Sequence, residues 1–90
     1  MKRLLLVALA QNYYATYREL GGSWGFKEMQ NDLLIVATAS LKQMDIVVSD
    51  DESTMLSELS LKSYQIVNQI LDLHSPKFMG YEDLKKKLLS

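Results

Sequence analysis

The chain has 90 residues, 48% of them hydrophobic, with one proline, four glycines and no cysteine; this describes an ordered chain with a thin core, one domain or part of one. Ten basic residues against eleven acidic ones leave a formal charge of −1, so no overall positive field advertises a nucleic acid or a membrane surface, and a nucleic-acid partner would have to be held by a local patch or through bound metal. The lack of cysteine excludes disulfides and thiolate metal sites and fits a reducing compartment.

At the amino terminus, Met1-Lys2-Arg3 followed by Leu4 to Ala10 imitates a signal peptide, with Ala8-Leu9-Ala10 in the place of a cleavage site. The apolar run is at the bottom of the ~7–15 residues such a core needs, and polar Gln11 and Asn12 follow at once, so the stretch reads as a helix instead. No run approaches the ~18 apolar residues of a membrane span. The expectation is a soluble, cytoplasmic protein with no membrane partner.

From Lys2 to Leu20, Leu6, Leu9, Ala10, Tyr13, Tyr17 and Leu20 recur at helical spacing, and Gly21-Gly22 supplies a left-handed stop. Tyr13, Tyr14 and Tyr17 spread around this helix, so one of them is expected to face water or another chain. Ser23-Trp24-Gly25-Phe26 and polar Lys27 to Asn31 read as a loop, with the two aromatics packed on the core or lining the loop. A second helix is predicted from Asp32. Its run Leu33-Leu34-Ile35-Val36-Ala37-Thr38-Ala39 is apolar on nearly every side and calls for packing around most of its circumference.

Asp45 opens a short β-branched strand, Ile46-Val47-Val48, of the kind found in parallel sheets covered on both faces. Ser49 to Thr54 lies past its carboxyl end. A third helix carries Leu59, Ser63, Ile66, Val67, Ile70 and Leu71 on one face, with Pro76 ending it and His74 at its end, where an imidazole suits the helix dipole. Lys77 to Tyr81 reads as a second strand. A last helix from Glu82 has acids first and Lys85-Lys86-Lys87 late, as the dipole favours. The order helix, helix, strand, helix, strand, helix makes the class α/β, with a parallel crossover between the strands. Two strands are few for a parallel sheet, which normally has both faces covered. Uncovered apolar faces would drive self-association.

Ligands of open α/β sheets sit outside the carboxyl ends of strands, where Asp50, Asp51 and Glu52 fall. Asp32, at the start of a helix antiparallel to the strand that follows it, is expected to converge with Asp51. Converging carboxylates are relieved by a hard divalent cation, Mg2+ above all, and metal-assisted phosphodiester hydrolysis follows as a reaction class. On placement alone the helix dipole accounts for Asp32, capping accounts for the Asp50 to Ser53 run, and a backbone hydrogen bond accounts for Ser49.

Taken whole, Asn31-Asp32-Leu33-Leu34-Ile35-Val36-Ala37-Thr38-Ala39 followed by Asp45-Ile46-Val47-Val48-Ser49-Asp50-Asp51 resembles the PIN-domain pattern: an Asp opening an Ile/Ala-rich helix with an Ala-Thr-Ala step, a short strand, then Thr, any residue, and Asp. Pro76 to Tyr81 resembles the family's edge strand near the carboxyl end. PIN domains are known as magnesium- or manganese-dependent ribonucleases, many of them toxins of toxin–antitoxin pairs. The resemblance implies the carboxy-terminal part of a PIN-like parallel α/β/α sandwich. It also implies that Asp32 and Asp51 match the family's third and fourth acidic residues as metal ligands. Ser49 stands where the family has Thr, its hydroxyl orienting the fourth carboxylate or a metal-bound water, and Asp50 occupies the variable accessory position. Residues 1–90 would then be a single incomplete PIN-like domain without the usual opening strand and its first two acids, a fragment of an RNA endoribonuclease that is inactive alone or completed by another chain. RNA, an antitoxin protein and a second copy of the chain are the implied partners. The alternative is a non-catalytic, self-associating module derived from such a domain.

Overall fold

The computed structural model describes residues 2–49 and 55–89. The first helix, α1 (Lys2–Glu19), buries Leu9, Ala10, Tyr13 and Tyr17, positions three and four apart that share one helical face. Leu6 is partly buried beside them, Tyr14 packs at their margin, and Leu20 lies outside the core. The stop foreseen at Gly21-Gly22 is a Schellman turn: Gly21 takes φ +101°, the Gly22 N–H donates to the Tyr17 carbonyl at 2.9 Å and the Gly21 N–H to the Arg18 carbonyl at 3.0 Å. The Tyr17 ring occupies the space where a Cβ on Gly22 would stand.

The second helix, α2, spans Phe26–Leu41, so it begins six residues before Asp32, not at it. Phe26 and Met29 extend the apolar stripe backward: Met29, Leu33, Val36, Ala37 and Ser40 are buried, while Lys27, Glu28, Gln30 and Asn31 form the wet face that a linear reading takes for a loop. Phe26 packs edge-on against Tyr14, with centroids 5.3 Å apart, whereas Trp24 in the preceding turn is exposed. The helix is also less enclosed than its composition suggests, because Ile35 is 50% exposed. It too ends in a Schellman turn, with Gln43 at φ +57° and the Met44 N–H donating to the Ala39 carbonyl at 2.8 Å.

Strand β1 (Ile46–Val48) and strand β2 (Lys77–Met79) pair in parallel, Ile46 opposite Lys77, Val47 opposite Phe78 and Val48 opposite Met79. Between them lies α3 (Glu58–Ile70), N-capped by Ser57, whose side chain accepts from the Ser60 N–H. Its buried face is Ser60, Ser63, Tyr64, Val67 and Asn68. Ile66, Ile70 and Leu71, expected inward, face solvent instead; tyrosine, serine and asparagine take the inner face because each finds a hydrogen-bond partner there. The helix stops at Ile70, well before Pro76, by a third Schellman turn with Asp72 at φ +56° and the Leu73 N–H on the Asn68 carbonyl at 2.7 Å.

The last helix, α4 (Tyr81–Leu89), has Glu82 and Asp83 in its first turn and Lys86 and Lys87 in its last, and buries no residue. The order helix, helix, strand, helix, strand, helix is thus as expected. The core lies where α1 packs on both α2 and α3. A line of rings carries it to the sheet, Tyr13 to Tyr64 at 5.2 Å and Tyr64 to Phe78 at 5.3 Å. Among the described residues the sheet is covered on one face only: Val47 is buried, but Ile46 and Val48 on the other face are 45% and 40% exposed.

Candidate functional site

Of the four residues expected at the metal site, Asp32 and Ser49 are described; Asp50 and Asp51 lie outside the described residues. Asp32 is in the second turn of α2, so the attraction of a helix amino terminus for an acid, which falls off within the first turn, does not account for it. It flanks the buried stripe, three positions after Met29 and four before Val36, both wholly buried, and is itself half-buried.

The tight turn at Lys42 to Asp45 sends the chain from α2 back along it as β1. Nine residues of helix from Asp32 to Leu41 rise about 14 Å, and five extended residues from Met44 to Ser49 cover about 16 Å. Leu34 and Ile35, two and three positions after Asp32, line one groove with Val48, one position before Ser49, so this part of α2 lies beside the end of β1. Ser49, half-buried, donates its N–H to the Met79 carbonyl at 3.1 Å, which ties its backbone to β2 rather than leaving it in an open loop. Neither Asp32 nor Ser49 stands without a partner. Their side-chain oxygens are hard donors of the type Mg2+ takes. Among the described residues there is no group of three or more His, Asp or Glu side chains able to hold a metal ion.

His74 is not at the end of a helix. It lies in the loop past the α3 turn, its Nε2 3.6 Å from an Asp45 carboxylate oxygen, with both side chains solvent-exposed. No helix among the described residues is long and apolar enough to cross a membrane.

The described residues hold a buried polar constellation that the linear sequence does not advertise. The Tyr13 hydroxyl lies 2.5 Å from Asn68 Oδ1 and 3.0 Å from Ser40 Oγ, Asn68 Nδ2 donates to Ser40 Oγ at 2.9 Å, and its second N–H reaches Ser75 Oγ at 3.1 Å. A tyrosine hydroxyl has one proton. Donated to Asn68 Oδ1, it leaves the Ser40 hydroxyl to donate back to Tyr13, and the three groups close a ring in which each gives one hydrogen bond and takes one. Burial pushes the Tyr13 hydroxyl above its ordinary value of about 10, the hydrogen bonds to Ser40 and Asn68 offsetting part of that rise. Tyr13, Ser40 and Asn68 are all fully buried. The arrangement pins α1, α2 and α3 together as a structural lock, its Tyr13 and Ser40 groups fully buried, while Asn68 borders an open pocket lined also by Gln65, Gln69, Asp72, Leu73 and Ser75. The one sequence signal for it was Asn68 standing four residues after Tyr64 on what becomes the inner face of α3.

Comparison with protein-family models, with curated proteins and with solved structures returns no match.

Proposed function

We propose that this chain carries the closing half of a PIN-like, magnesium- or manganese-dependent endoribonuclease site, with Asp32 and Asp51 as metal ligands, Ser49 orienting Asp51 and Asp50 accessory, in the parallel α/β/α architecture of that family. The observation that carries the reading is the groove that Leu34 and Ile35, just after Asp32, line together with Val48 at the carboxyl end of β1, after which Ser49-Asp50-Asp51 follows at once in the sequence. The parallel pairing of β1 with β2 supports it too, since a ligand site of such a sheet falls at this end. A bound divalent cation would supply an activated water and neutralise charge growing on a phosphodiester. The chain's own part would be to present two carboxylates whose oxygens hold the cation, and a serine hydroxyl that fixes one of them. The further carboxylates of such a site come from another chain or from sequence outside these 90 residues. RNA is the substrate class, a protein antitoxin a partner class, and the cytoplasm the compartment.

The test is cleavage of single-stranded RNA in Mg2+ or Mn2+ by the chain and by Asp32→Asn and Asp51→Asn. Metal-dependent cleavage lost in both variants supports the reading. Cleavage that is indifferent to both, or absent together with metal binding, removes it.

One observation favours a second reading, a non-catalytic module that associates with itself: one face of the sheet, at Ile46 and Val48, lies open, and such apolar strand surface is what proteins normally cover.

A further inference from the structure

We draw no further inference here: the strongest candidate, the apolar hollow between the amino-terminal half of α1 and the carboxyl end of α2, lined by Leu5, Leu6, Thr38, Leu41 and Lys42, is an unpartnered apolar face, and nothing in the structure shows what covers it.

Discussion

The Tyr13 hydroxyl and Asn68 Oδ1 stand 2.5 Å apart across 55 positions of sequence, both wholly buried between α1 and α3. This contact, closed into a ring by Ser40, ties the inner face of α3 to α1 and α2, and a buried amide is tolerated there only with its partners made. Removing either partner strands the other away from water. Asn68→Ala should cost about 2–3 kcal/mol and Tyr13→Phe about 1–2 kcal/mol in urea unfolding, and the double variant less than the sum, since the second loss finds its partner already gone. Strict additivity would show that the two groups do not act as one unit.

The same hydroxyl makes stability depend on pH at the alkaline end. Its proton is held above the ordinary value of about 10 by burial. Above that pH the unfolded chain gives the proton up while the folded chain keeps it, so the folded state binds more protons and stability falls as pH rises. The advantage of the parent over Tyr13→Phe should stay constant from about pH 7 to 9.5 and shrink toward pH 11, read as the gap between urea midpoints. A gap unchanged to pH 11 would contradict the placement of this hydroxyl.

Three helices end in the same turn, yet only α1 has a glycine at the left-handed position; Gln43 and Asp72 hold φ +57° and +56° in the other two. A side chain there is strained where glycine is not. Gln43→Gly and Asp72→Gly should each stabilise the fold by about 0.5–1 kcal/mol, and Gly21→Ala should destabilise it by about 1 kcal/mol. Thermal midpoints moving in those opposite directions are the check. Gly22→Ala should be worse than Gly21→Ala, because its Cβ falls inside the Tyr17 ring whereas Gly21 faces open space.

The exposed pair His74–Asp45, 3.6 Å apart, should matter little. His74→Ala is expected to leave the thermal midpoint unchanged, since such surface pairs contribute almost nothing once solvent screening is counted. A clear loss of stability would mean that the loop before β2 relies on it.

The element order was legible in the sequence because three signals are local: the glycine pair after α1, the β-branched run of β1, and the charge gradient along α4. What failed to show was long-range. The start of α2 is not legible because Lys27 to Asn31 reads as loop unless Met29 is known to be buried in the core. The inner face of α3 is not legible because Ile66, Ile70 and Leu71 outrank Ser60, Ser63 and Asn68 on hydrophobicity, and the Tyr13 and Ser40 partners that suit Asn68 to the interior come from elsewhere in the chain. At the candidate site, Asp32 was singled out from its motif, but under a helix-start geometry that does not hold. Asp32 stands instead in the second turn of α2, half-buried and with a partner.

The central claim is that Asp32 and Asp51 hold one divalent cation. Titration of Mn2+ into the isotopically labelled chain, reading paramagnetic broadening residue by residue, tests it most directly. The account predicts early, selective loss of the Asp32, Ser49 and Asp51 signals, with Asp51→Asn abolishing the selectivity at Asp32. Broadening spread evenly over the exposed acids, or centred on Glu82 and Asp83 instead, would contradict it.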